Sequence, residues 1–160
     1  MNLSEKIKSF IYSNIVPNNK RAIGVEIEGL YYDNHFKRLP VNPTDKYSAT
    51  DLLYDIKELN DVESSFNYSL EPGGQLEWAS GPSISLWDIK NQFDSHVELE
   101  NSICKANQIN RLYLSVDPLY SPQEIDLIHS KKYEAMDKIF QISGSCLLYT
   151  SPSPRDATLS

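Results

Sequence analysis

The chain has 160 residues, of which 40% are hydrophobic and 11% aromatic: enough for one globular domain with its own core, too few for two. Two cysteines, Cys104 and Cys146, make neither a zinc framework nor a disulfide scaffold, and 22 acidic residues against 15 basic ones give a formal charge of -7. That field repels polyanions, so nucleic acid is not expected as a partner, and a phosphate ligand would arrive with a counter-ion. No apolar run reaches the ~20 residues that span a bilayer. The charged start at Glu5, Lys6 and Lys8 lacks the apolar stretch of a signal peptide, so a cytoplasmic protein without a membrane partner is expected.

In chain order, Leu3, Ile7, Phe10, Ile11 and Ile15 recur at helical spacing behind Asn2 and Ser4, which predicts a short amphipathic helix ending before Pro17. Ile23, Val25 and Ile27 then alternate with Gly24, Glu26 and Glu28 as in a strand, which runs to about Tyr32 and turns at Asp33-Asn34, with Leu39 to Val41 as a short return. A helix is predicted over Ser48 to Leu59. Phe66 to Glu71 and Leu76 to Ser80 read as a hairpin around Pro72-Gly73-Gly74-Gln75. Residues 85–108 read as a long surface helix, Leu112, Leu114 and Val116 as the apolar side of a strand stopped by Pro118, and Ser130 to Phe140 as a last helix. Hairpins mixed with helices predict an α+β fold with an antiparallel or mixed sheet rather than a doubly wound one.

Strand alternation sends Glu26 and Glu28 to one face and Ile23, Val25 and Ile27 to the other. In the hairpin, a three-residue loop Gly73 to Gln75 would put Tyr68, Leu70, Leu76 and Trp78 on an apolar face and set Glu71 opposite Glu77 on the polar one. Like charges placed opposite one another repel, so two such pairs ask for a cation. Carboxylates without His or Cys suit Mg²⁺ or Mn²⁺. A Glu-x-Glu on a strand also reads as a plain solvated face, and Pro-Gly-Gly as a plain tight turn. The conjunction of two units, each with paired glutamates opposite an apolar face, is what points to a metal platform able to hold nucleotide phosphates.

Gly24-Val25-Glu26-Ile27-Glu28-Gly29, Leu70-Glu71-Pro72-Gly73-Gly74-Gln75-Leu76-Glu77, and Ser80-Gly81-Pro82 before a long helix resemble the ATP-dependent glutamate–cysteine ligases of the plant and proteobacterial branch. Lys132-Tyr133-Glu134-Ala135-Met136 is similar to a later family element, Arg-Tyr-x-x-Met, with lysine in place of the arginine that grips a substrate carboxylate. The resemblance covers about Ile23 to Ser145. It implies a glutamine-synthetase-like carboxylate–amine ligase fold, here incomplete, and the ligation of L-glutamate to L-cysteine through γ-glutamyl phosphate, with ATP as co-substrate. It implies Glu26, Glu28, Glu71 and Glu77 as metal ligands and Gln75 and Lys132 as substrate-binding residues. No side-chain nucleophile is needed, since phosphoryl transfer rests on positioning and charge neutralisation. A related ligase with another amine acceptor, or a non-catalytic acidic metal-binding domain, are the alternatives.

Arg111, on the polar side of its strand, reads as an exposed structural arginine, with service to an anion as the alternative, Cys104 as core, and His35, His96 and His129 as scattered surface or helix residues. Residues 1–145 are read as the amino-terminal part of the catalytic domain, inactive by itself. Residues 146–160, with Thr150-Ser151-Pro152-Ser153-Pro154, read as a disordered tail or as translated adapter sequence joined to a truncated frame. Oligomeric state is not legible at this level.

Overall fold

In the computed structural model, which describes residues 2–60, 64–112, 114 and 116–143, three of the helices begin at side-chain caps. The Glu5 N–H donates to Asn2 Oδ1 at 2.9 Å and the Asn2 N–H to the Glu5 carboxylate at 2.8 Å, a reciprocal pair that opens α1 (Leu3–Ser13). Ser48 and Asp51 repeat the device at the head of α2 (Ala49–Leu59). Ser85 caps α3 (Leu86–Asn107) by accepting from the Asp88 N–H. A last helix, α4, spans Lys131–Ser143. No helix among the described residues is long and apolar enough to cross a membrane.

The strands β1 (Glu26–Asp33), β2 (Asn67–Leu70), β3 (Leu76–Ala79) and β4 (Ile109–Leu112) form one sheet in the order β2-β3-β1-β4, with every neighbouring pair antiparallel. The α+β expectation therefore holds. α2 and α3 cover one face of the sheet, and between them and the strands lie Tyr31, Leu52, Ile56, Tyr68, Leu70, Leu76, Trp78, Ile103 and Ile109. Each large apolar side chain so buried contributes about 1.5–3 kcal/mol. Trp78 stacks on His96 at 5.2 Å between ring centroids and meets the Phe93 ring edge-on at 5.8 Å.

Part of the opposite face is covered by the chain between β4 and α4. Arg38, at the return of the β1 turn, pairs with Asp117 at 2.7 Å with both side chains buried, and donates to the Gly73 carbonyl at 2.6 Å. The Tyr32 and Tyr120 rings meet at 6.5 Å. Further along, Ile128 N–H donates to the Pro72 carbonyl, Asn42 donates to the Leu127 carbonyl, and His129 N–H donates to Asn42. These ties hold a strap, residues 116–130, over the Leu30–Tyr32 half of the face and leave the Glu26–Glu28 half open.

Two expectations are corrected here. The hairpin pairs Ser69, not Glu71, with Glu77, and its closing bond runs from the Glu71 N–H to the Gln75 carbonyl at 2.9 Å. The expected register would have asked Pro72 to sit in the ladder opposite Leu76, and proline has no N–H to give. The loop is instead Pro72-Gly73-Gly74, with Gly74 at φ 78°, a conformation glycine adopts without steric cost. A shift of two residues preserves the faces, so Tyr68, Leu70, Leu76 and Trp78 still point to the core. The strand expected on Leu112, Leu114 and Val116 begins earlier, at Ile109, and Leu114 and Val116 are exposed. Residues 146–160 lie outside the described residues.

Candidate functional site

The open face collects the glutamates by register. β1 and β3 set Glu28 directly opposite Glu77, and Glu26, two residues earlier on β1, shares that face. Glu71 follows the last residue of β2, two positions after Ser69, and its carboxyl shares a side-chain hydrogen bond with that of Glu77. Ser69 Oγ donates to the Glu77 carboxylate at 2.8 Å, which fixes the orientation of Glu77. All four candidate ligands thus lie on one side of one sheet.

Burial pushes the Glu71 carboxyl up to about 7, and the neighbouring Glu77 charge, the bond with Glu77 and the more distant Glu26 push the same way; Lys132 opposes them. Two carboxylates so placed cannot both ionise cheaply, so Glu71 holds its proton up to about pH 7. Among the described residues, no three His, Cys, Asp or Glu side chains are gathered closely enough to hold a metal ion. The donor set is nonetheless all carboxylate oxygen, and a hard cation bound there would have to displace the Glu71 proton.

Gln75 and Lys132 come to the same locality by different routes. Gln75 is buried at the closing pair of the hairpin, its carboxamide folded back over Gly73 beside the carbonyl that Arg38 grips. Lys132 arrives through the strap: the Ile128 and Asn42 bonds deliver the start of α4 to the loop, where Tyr133 Oη donates to the Leu70 carbonyl at 3.5 Å. The Lys132 ammonium lies 5.0 Å from the centroid of the Tyr133 ring, and its charge is felt at Glu71.

No family model matches the chain, and no curated protein does.

Beneath the site, on the helix side of the sheet, lies a polar cluster that sequence reasoning missed. Glu100 of α3 accepts from Arg111 Nη1 at 3.0 Å and from the Tyr31 hydroxyl, and His96 sits one turn before it. Tyr68 Oη lies 3.1 Å from His96 Nδ1. Burial, with the Arg111 charge next, lowers the His96 pKa to about 4, so the ring is neutral; with Tyr68 donating to Nδ1, the proton belongs on Nε2, facing Glu100. Arg111 is therefore not an exposed arginine on the polar side. It pairs with Tyr31 across the β1–β4 ladder and is buried against Glu100. His96 is likewise no surface residue, with 2% of its area exposed. Gly29 makes room for this arrangement: a Cβ there would lie 2.9 Å from the Tyr31 ring and 3.0 Å from Arg111 Nε. Cys104 packs against the core as expected, and burial pushes its thiol up to about 12, too high for a nucleophile.

Proposed function

We propose that the open carboxylate face is the metal-bearing part of an ATP-dependent glutamate–cysteine ligase site. The observation that carries the reading is the pairing of Glu28 with Glu77 across β1 and β3, with Glu71 hydrogen-bonded to Glu77 on the same face. The Leu70-Glu71-Pro72-Gly73-Gly74-Gln75-Leu76-Glu77 signature supports it, since the loop that bears the signature is also the loop that brings Glu71 to Glu77.

In this reading Glu26, Glu28, Glu71 and Glu77 hold Mg²⁺ or Mn²⁺, which would neutralise the phosphate charge of ATP. The γ-carboxylate of L-glutamate attacks the γ-phosphorus and ADP leaves; the amine of L-cysteine then attacks the acyl carbon of γ-glutamyl phosphate, and phosphate leaves with formation of the amide. What the chain itself contributes is positioning. Ser69 orients Glu77, the Lys132 charge acts on Glu71 and would counter a substrate carboxylate or phosphate, and Gln75 is buried at the hairpin loop with its carboxamide against Gly73. Lysine here supplies a point charge rather than a bidentate fork.

The test is phosphate release from ATP by the protein that carries this sequence, required to depend on both glutamate and cysteine and to fall at least about 100-fold in Glu71→Gln and Glu77→Gln, the scale of losing a charge-stabilising group. Release that needs a different amine would move the assignment to another carboxylate–amine ligase. Divalent cation binding with no nucleotide dependence would support an acidic metal-binding domain instead.

A further inference from the structure

The loop that carries Glu71 is held largely from outside itself. Between Leu70 and Gln75 the chain makes two bonds of its own, from the Glu71 N–H to the Gln75 carbonyl at 2.9 Å and from the Gly74 N–H to the Glu71 carbonyl at 2.8 Å. Three further carbonyls accept from donors elsewhere in the sequence: Gly73 from Arg38 Nη2 at 2.6 Å, Pro72 from the Ile128 N–H at 2.9 Å and Leu70 from the Tyr133 hydroxyl at 3.5 Å. Pro72 and Gly73 are buried, so a carbonyl there that lost its donor would stay unsatisfied at a cost the folded chain avoids. Gly73 and Gly74, side by side, also have many other conformations to relax into. The shape of the loop, and with it the place of Glu71, is therefore set by the donors.

Arg38 does more than fill a carbonyl. Its backbone bridges to Tyr32, and the next residue, Leu39, donates its N–H to the Tyr31 carbonyl at 3.0 Å, so Arg38 is in register with β1, the strand that carries Glu26 and Glu28. Its guanidinium is buried and divides its arms between the Gly73 carbonyl and Asp117 Oδ2, the latter at 2.7 Å. Asp117 Oδ1 in turn accepts from the N–H groups of Leu119 and Tyr120 at 2.9 and 3.0 Å, which keeps that carboxylate from turning away. A planar fork clamped at both arms fixes direction as well as distance. Arg38 thus ties the loop at the end of β2 to β1, which is not a neighbour of β2 in the sheet.

We propose, on the cation-bearing reading of this face given above, that Arg38 is a positioning residue for the carboxylate site: through the Gly73 carbonyl it sets where Glu71 stands relative to Glu28 and Glu77, and so tunes the affinity of the face for a divalent cation without being a ligand. The sign of the effect is diagnostic. Arg38 is itself a cation, so by charge alone its removal would tighten the binding of Mn²⁺. A positioning role has the opposite consequence, the loss of about 10–100-fold in affinity that follows when a group orienting a metal's ligands is removed.

Calorimetric titration of the full chain with Mn²⁺ tests this. Affinity should fall at least about tenfold in Arg38→Met. Lys37→Met, which removes the same charge from the exposed neighbour, should bind Mn²⁺ no more weakly than wild type. Ile56→Val, which loosens the core on the other face of the sheet, should lower the urea midpoint and leave Mn²⁺ affinity unchanged, so that lost stability is not mistaken for lost position. Arg38→Met strands the buried Asp117 carboxylate, so Arg38→Met with Asp117→Asn is the companion variant: it removes both charges and keeps an oxygen for Leu119 and Tyr120. It should show the same loss of affinity in a chain whose far-UV circular dichroism is that of wild type. Mn²⁺ binding as tight as wild type in either Arg38→Met protein, or a loss matched by Lys37→Met or Ile56→Val, overturns the inference and leaves the reading of the face standing. A wild-type chain that binds no Mn²⁺ overturns that reading, and this inference with it.

Discussion

Glu71 and His96 lie on opposite faces of the same sheet, and burial acts on their titrations with opposite sign. Glu71, raised to about 7 from an ordinary 4.5, holds a proton that the unfolded chain has lost between those values, so its contribution to stability falls as pH rises from about 4.5 to 7. Glu71→Gln should remove that slope and stabilise the protein at pH 8 relative to pH 5 by about 1 kcal/mol, discounted for partial exposure, as read from urea midpoints. His96, lowered from 6.5 to about 4, is the reverse: the unfolded chain takes up a proton the folded one refuses, so stability is lost as pH falls from about 6.5 toward 4. Glu71 acts in the opposite sense over nearly the same window, so the effect is read as a difference: the urea midpoint of wild type relative to that of His96→Phe should decline over that interval. Truncating Glu100 to alanine, which strands the buried Arg111 charge, should cost about 3–5 kcal/mol in the same assay. These effects were invisible in the sequence for a plain reason. His96 and Glu100 sit one turn apart on a long helix, as solvated residues do, and the groups that make them interior, Tyr31, Tyr68 and Arg111, come from three different strands.

The elements themselves were more legible. The pairs Asn2 with Glu5, Ser48 with Asp51 and Ser85 with Asp88 mark three helix starts in the sequence because a cap is a local bond between neighbours. The faces of β1, β2 and β3 were legible from period-two alternation, but the hairpin register was not, since counting glycines overlooks the N–H that Pro72 lacks. Gly74→Ala should cost about 1–2 kcal/mol, from the positive φ and from the approach of Val41 to within 3.1 Å of the added Cβ. The ends of the strap ties, Arg38 with Asp117 and Asn42 with Leu127 and His129, lie about eighty residues apart and give no local signal. Arg38→Met should leave α2 and α3 as protected in hydrogen exchange as before, while amides of residues 117–128 exchange at least about tenfold faster and Lys132 loses its fixed place beside Glu71.

For the molecule as a whole, the division of labour runs through the sheet. One face, carrying Tyr31, Tyr68 and Trp78, is committed to α2 and α3; the other is part strap, part open acid. The acidity that the composition showed is therefore not spread evenly in its consequences: Asp94, Glu100 and Asp117 each meet a cation, whereas Glu28, Glu71 and Glu77 meet one another or lie directly opposite one another. Proton release on adding Mn²⁺ shows whether that concentration of carboxylates makes a cation site. If a divalent cation displaces the proton held by Glu71, calorimetry near pH 6 should show saturable Mn²⁺ binding that releases protons into the buffer. The release should vanish near pH 8.5, and the binding should weaken at least about tenfold in Glu77→Gln. Mn²⁺ binding that is absent from the wild-type chain, or that survives undiminished in Glu71→Gln and Glu77→Gln, would contradict it.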